Sequence, residues 1–326
     1  MAGTFHAFCA KLLETHGAAV GVRSPLRILD DPRQREAVIA AIAGAGVALP
    51  AEERAQARLL RYVKEAISVR KRGAASPRPP AFRSPIPDDA LERIADAYRQ
   101  TLADKDALDY DDLLVRAVQL LREDRATAES MHRRLRFVFI DEFHDVSAEQ
   151  YRLIQLLLPP RAPDRQLMAV ADPDQSIFGW RGAHAAEALG RLRRDYRPAR
   201  HILTRNHRST PEIIAAADAV MADHRSTHRS APASPSGFAV ACWEFADEEE
   251  EAEDVARLIE RGRAAGGYTY GDFAILYRSH ARAASVEAAL LARGIPVWRV
   301  QQGRFYDQPE VQEGLRYLDL TLALHD

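Results

Sequence analysis

Four apolar residues followed at once by two acids, Phe137-Val138-Phe139-Ile140-Asp141-Glu142, constrain this chain more than any other stretch. An unbroken run of aromatic and β-branched side chains suits a strand covered on both faces, as in a parallel sheet. Ligands of such sheets bind where the carboxyl ends of the strands open, so the Asp-Glu pair falls where nucleotide phosphates and their metal sit. Two acids after a strand also serve simply to start the next helix, and the pair alone does not separate these uses.

The surroundings extend the pattern. From Arg136 onward, short apolar runs at 137–140, 167–171 and 201–204 alternate with helical stretches at 148–158 and 183–196, which predicts a parallel α/β sheet. A Ser/Pro/Gly-rich loop over 225–237 follows, and then 238–244, a helix over 248–263 and 272–277 begin a second layered domain. The acidic run 247–254 reads as the solvated, dipole-favoured start of that helix. Residues 31–119 read as mostly helical, with Leu59, Val63 and Ile67 on one face, broken by a Pro-rich exposed loop at 76–87. Asp109 is placed to cap a further helix, and a capped helix is a sufficient account of the acids there.

Composition narrows the class without naming a function. With 326 residues, 47% of them hydrophobic, the chain can bury the cores of two or more domains. The formal charge of −2 shows no global basic excess, so any nucleic-acid surface has to be local. Cys9 and Cys242 lie far apart and outside any CxxC spacing, which speaks against a disulfide framework or a zinc site and for a reducing cytoplasm. No apolar run approaches the roughly 18 residues needed to span a bilayer.

The chemistry is concentrated in three segments. Asp141 to Asp145 supplies a carboxylate for Mg²⁺ and a second one to orient or deprotonate water, as phosphoryl transfer to water requires. The next strand runs into Asp172-Pro173-Asp174-Gln175-Ser176-Ile177-Phe178-Gly179-Trp180-Arg181-Gly182-Ala183, where the Gln175 amide can report on a terminal phosphate. Phe178, Trp180 and Arg181 add two aromatic planes and a cation able to hold unstacked bases, a composition hard to explain as core. The third segment, Asn206-His207-Arg208-Ser209-Thr210, precedes a helix opened by Pro211, with Ser209 or Thr210 as its cap. Arg208 there can reach a phosphate in the manner of an arginine finger or form an interface salt bridge.

With these segments in order, the sequence resembles the UvrD/Rep/PcrA family of superfamily 1 DNA helicases. Gly3-Thr4-Phe5-His6-Ala7-Phe8-Cys9 is similar to the family's T-F-H strand-contact motif, Asp141 to Asp145 to its D-E-F-Q-D Walker B box, and Asp172 to Ala183 to its D-x-D-Q-S-I-Y-G-W-R-G-A motif. Asn206 to Thr210 resembles N-Y-R-S-T, and Ala274 to Arg278, Gly294 to Pro296 and Gly303 to Tyr306 resemble the opening of a second RecA-like domain. The resemblance implies an α/β fold of RecA-like, P-loop NTPase type with a helical insertion. Its parts are a first-domain remnant at 1–30, the insertion at 31–119, the rest of the first domain at 120–205 and a partial second RecA-like domain at 206–326.

It further implies ATP and Mg²⁺ as cofactors and single-stranded DNA and single-strand/duplex junctions as partners, in the cytoplasm, with strand movement from 3′ to 5′. Asp141 would hold the metal and Glu142 act as catalytic base. Gln175 and Arg208 would meet the γ-phosphate, with His207 also in the ATP site. Thr4, Phe5 and His6 would touch the strand, while Phe178, Trp180 and Arg181 stack on bases and couple them to the nucleotide. Arg54, Arg58 and Arg61 share one helix face, which reads first as solvated and second as a duplex contact.

The departures are as specific as the match. No G-x-x-x-x-G-K-[ST] occurs in the chain, so it reads as an internal segment of a longer motor, inactive in hydrolysis by itself. His144 stands where the family has Gln, His207 where it has Tyr and Ala171 where a Gly is common. A non-catalytic strand-binding remnant and the helicase part of an AddA-like helicase-nuclease are the alternative readings.

Overall fold

A computed structural model describes residues 2–72, 86–160, 162, 164–177, 185–222, 231–278 and 280–300. In order, the helices are α1 (Phe5–His16), α2 (Asp31–Gly44), α3 (Glu53–Lys71), α4 (Asp88–Asp104), α5 (Tyr110–Glu123) and α6 (Arg125–Arg134). Then come β1 (Phe137–Ile140), α7 (Ala148–Leu157), β2 (Gln166–Ala169), α8 (Ala185–Tyr196), β3 (Arg205–Asn206), α9 (Pro211–Val220), β4 (Ala231–Pro232), α10 (Glu248–Ala264) and α11 (His280–Ala292). The chain divides into two compact units, Met1–Gly237 and Phe238–Asp326.

The first unit has two apolar cores. In one, Cys9, Leu12 and Leu13 of α1 meet Leu113, Leu114, Ala117, Leu120 and Leu121 of α5, and Tyr151, Leu153, Ile154 and Leu157 of α7 close the cluster. The spacing of these residues recurs with the helical period, which is why three helices share one stripe. The second core belongs to α2, α3 and α4, where Val38, Ile42, Leu60, Val63, Leu91, Ile94 and Tyr98 interlock. Leu59, Val63 and Ile67 are buried on the predicted face. The α2–α4 excursion leaves and returns at one point, because the Leu29 N–H donates to the Leu108 carbonyl at 2.9 Å and the Leu108 N–H to the Arg27 carbonyl at 2.8 Å.

β1 and β2 pair in parallel, with Phe137 opposite Gln166 and Ile140 opposite Ala169. The expectation of a strand covered on both faces is corrected here. Ile140 and Val138 pack into the core, whereas Phe137 and Phe139 are 58% and 72% exposed. Alternation on a pleated strand sends those two rings to the opposite face. The expected strand at 201–204 is also corrected: the only ladder near it among the described residues is Arg205–Asn206 with Ala231–Pro232, also parallel. Residues 238–244 and 272–277 likewise form no ladder among the described residues. Strand-like composition becomes sheet only where a neighbouring backbone takes its hydrogen bonds, and Phe238, Val240 and Leu276 are largely exposed. The Pro-rich stretch 76–85 lies outside the described residues.

In the second unit, α10 opens on Asp247, whose carboxylate accepts the Glu250 N–H at 2.8 Å, with four glutamates in its first turn. That is the dipole-favoured helix start expected of the acidic run. Ala252, Ala256 and Ile259 of α10 pack on Ala289 and Leu290 of α11 and on Ile295. Gly262 lets the Phe273 ring lie against the α10 backbone, since a Cβ there would come within 2.9 Å of the ring. Among the described residues, no helix is long and apolar enough to cross a membrane.

Burial gives the two cysteines opposite reactivities. Cys9 is fully enclosed and burial pushes its thiol up to about 12, while Cys242 is exposed. A thiol-specific chromogenic reagent near neutral pH is expected to titrate one fast cysteine in the folded protein and the second only on unfolding. Two fast thiols would show that the contact between α1 and α5 is open.

Candidate nucleotide and strand site

The backbone places the acids beside the Gln175 segment. Beyond the β1–β2 ladder, the Val170 N–H donates to the Ile140 carbonyl at 2.9 Å and the Phe143 N–H to the Val170 carbonyl at 2.8 Å, so the two strand ends leave the sheet together. Glu142 adopts a left-handed conformation, φ 51 and ψ 43, which costs a non-glycine residue about 1–2 kcal/mol. The turn is held from both sides. The Glu142 N–H donates to Asp141 Oδ1 at 3.0 Å, and the next side chain, Phe143, is fully buried in the core. A capping box follows, in which Ser147 and Gln150 exchange hydrogen bonds and launch α7.

This turn leaves both carboxylates at the surface. One exposed carboxylate at a strand end fits Mg²⁺, a hard ion that takes one or two carboxylates, keeps several waters and draws its remaining oxygens from phosphate. Asp172 caps a short 3-10 turn at 173–175, accepting the Asp174 N–H at 3.1 Å and the Gln175 side-chain amide at 2.7 Å. His144 joins the two segments: the Asp172 N–H donates to its Nδ1 at 3.1 Å, and its Nε2 lies 3.4 Å from Glu142 Oε2 and 3.8 Å from Asp145 Oδ2. The sequence marked His144 as a departure but carried no signal that it would bridge two loops.

Arg208 belongs to a different local structure. The N–H groups of Arg208 and Ser209 both donate to Asn206 Oδ1 at 2.9 Å, an Asx turn that leads into α9 with Thr210 at the cap position. Among the described residues, the Arg208 side chain makes no ion pair with Asp141 or Glu142, and Arg208 and His207 are exposed.

Thr4 is the N-cap of α1, its hydroxyl accepting the Ala7 N–H at 3.2 Å. Phe5 packs partly on the core, and His6 meets Tyr110 edge to face with centroids 5.8 Å apart. Burial pulls the His6 imidazole below its ordinary value despite the opposing field of Asp111. Phe178, Trp180 and Arg181 lie outside the described residues. Arg54, Arg58 and Arg61 are exposed along α3.

Residues 1–196 match the UvrD/REP helicase N-terminal domain, and residues 201–326 match the UvrD-like helicase C-terminal domain. Relatives include a protein of Staphylococcus epidermidis named ATP-dependent DNA helicase PcrA, 28% identical over 328 residues that take in 99% of this chain and 43% of the relative. The protein of the same name from Staphylococcus aureus is 28% identical over 327 residues, with the same shares. The chain therefore spans less than half the length of these relatives. Its mostly helical build with small parallel sheets is that of α/β RecA-like helicase domains, and with both domain matches together covering nearly every residue, the chain belongs to the UvrD/REP helicase family.

Proposed function

We propose that these residues work as the nucleotide- and strand-engaging part of an ATP-dependent DNA helicase or translocase that moves 3′ to 5′ on single-stranded DNA. The observation that supports this most is the shared departure of the two strand ends, which puts Asp141 and Glu142 beside the loop of Gln175. Asp141 would hold Mg²⁺, whose charge neutralises the phosphates when it is bound. Glu142 accepts a proton from the attacking water, Gln175 donates its amide to the terminal phosphate, and Arg208 and His207 complete the nucleotide contacts. Thr4, Phe5 and His6 contact the strand, with Phe178 and Trp180 stacking on bases and Arg181 linking them to the nucleotide. Single-strand/duplex junctions are the substrate class, and a cytoplasmic location accords with such a partner. The insertion at 31–119 and the four-part division given above belong to the same reading, in accord with the separate apolar core of α2–α4.

Titration of a fluorescent single-stranded oligonucleotide at two salt concentrations tests the strand-binding half. Binding is expected to weaken with salt as phosphate contacts are screened. Trp180→Ala is expected to raise Kd by about tenfold, since one base–aromatic stack is worth roughly 1–3 kcal/mol. Equal affinity of the variant and the parent would remove Trp180 from the strand path.

A further inference from the structure

We infer that His144 is a positioning residue that holds the loop carrying Gln175 through Nδ1 and sets its Nε2–H facing the Glu142 carboxylate. The inference deepens the reading of Glu142 and Gln175 as nucleotide-facing groups, and rests on it. The ring is 3% exposed, so water does not compete for its nitrogens. A neutral imidazole offers one donor and one acceptor. The backbone N–H of Asp172 can only donate, which makes Nδ1 the acceptor and leaves the proton on Nε2. That proton faces two acceptors, Glu142 Oε2 at 3.4 Å and Asp145 Oδ2 at 3.8 Å. Both are close polar contacts, and the hydrogen bond at this ring is the one that Nδ1 accepts. Asp172 in turn holds Gln175, its Oδ2 accepting the side-chain amide at 2.7 Å. A chain of contacts therefore runs from Glu142 through His144 and Asp172 to Gln175.

The left-handed backbone at Glu142 gives this tether a purpose. A residue in a disfavoured conformation stays there only when its surroundings over-determine it, and the Glu142 side chain is otherwise 63% exposed. Packing alone makes a different demand of position 144. Phenylalanine keeps an aromatic ring but offers neither nitrogen, whereas glutamine is not a ring yet offers one acceptor and one donor.

The full chain labelled with ¹⁵N histidine provides the test. In a long-range ¹H–¹⁵N spectrum near pH 7.5, the signal missing from His144→Gln is expected to show the neutral Nε2–H tautomer. Amide exchange at Asp172 is expected to run about fivefold to tenfold faster in His144→Phe, the factor one net hydrogen bond supplies, and to stay near the parent rate in His144→Gln. An Nδ1–H tautomer, or full Asp172 protection in His144→Phe, overturns the inference. The tautomer is read on the parent protein and so stands even where a variant fails to fold. Loss of strand binding in a protein that keeps the Nε2–H signal would instead remove the functional reading and leave the tether in place.

Discussion

Replacing Lys71 with methionine is expected to destabilise the first unit by about 3–5 kcal/mol, the cost of leaving buried carboxylates without their cation. Lys71 Nζ lies 2.8 Å from both Asp109 Oδ2 and Asp112 Oδ2, and the three side chains are only 13%, 2% and 16% exposed. Asp109 also accepts the Tyr98 hydroxyl at 2.9 Å and the Gln34 amide at 3.4 Å, so α2, α3, α4 and α5 meet at one carboxylate. Asp109 and Asp112 form a reciprocal capping box at the start of α5. Burial pushes Asp109 up, and the Lys71 charge with several hydrogen bonds overcomes it, leaving that carboxyl below its ordinary range. Asp112 is raised, by burial first and then by the charge of Asp109.

The sign of the pH dependence follows. The depressed Asp109 contributes stability that is present above its unfolded value and lost as pH falls through its lower folded value. Without Lys71 both carboxyls are raised, so the folded variant takes up protons before the unfolded chain does and gains stability on acidification. The deficit of Lys71→Met is therefore expected to be largest near pH 7 and smaller at about pH 4. Denaturant unfolding followed by far-ultraviolet circular dichroism at both values measures it. Adding Asp112→Asn to Lys71→Met is expected to recover part of the loss, because contacting groups are not additive. A pH-independent deficit of under about 1 kcal/mol would mean the triad is solvated and worth no more than a surface pair.

Much of this arrangement was legible from local pattern. The helical period of Leu59, Val63 and Ile67 located α3, the turn chemistry of Asp109 located the start of α5, and the apolar run at Phe137 located β1 with its acids. What stayed hidden depends on partners distant in sequence. Lys71, Gln34 and Tyr98 look like ordinary helix residues until tertiary packing brings them onto Asp109. The same holds for His144, whose role is set by a backbone N–H 28 residues further on. Strand composition at 201–204, 238–244 and 272–277 gave the opposite error, because β-branched and aromatic content cannot report whether a neighbouring backbone is present to pair. The candidate site residues stand out as motifs rather than as geometry: the backbone ladder joins Asp141, Glu142 and the Gln175 loop, while Arg208 sits in its own Asx turn.

Hydrolysis of ATP by the 326-residue polypeptide is expected to stay at background, with or without single-stranded DNA. Phosphoryl transfer asks little covalent chemistry of a protein and almost everything in positioning and electrostatic stabilisation. On the proposed reading the chain offers Asp141 to the metal, Glu142 as base and the Gln175 amide to the terminal phosphate. It contains no G-x-x-x-x-G-K-[ST] stretch whose backbone N–H groups and lysine would cradle the phosphates. An exposed carboxylate without such a stretch has too little of the ligand to orient. In a longer polypeptide that joins a P-loop segment to these residues, Glu142→Gln is expected to lower kcat by about 10²–10⁴-fold, the usual worth of a positioned general base. Nucleotide affinity should change far less, because glutamine keeps the size of the side chain and removes only its capacity to take the proton. A steady-state phosphate-release assay of both polypeptides decides the matter. DNA-stimulated turnover in the 326-residue chain that Glu142→Gln abolishes would show that these residues build a phosphate cradle of their own.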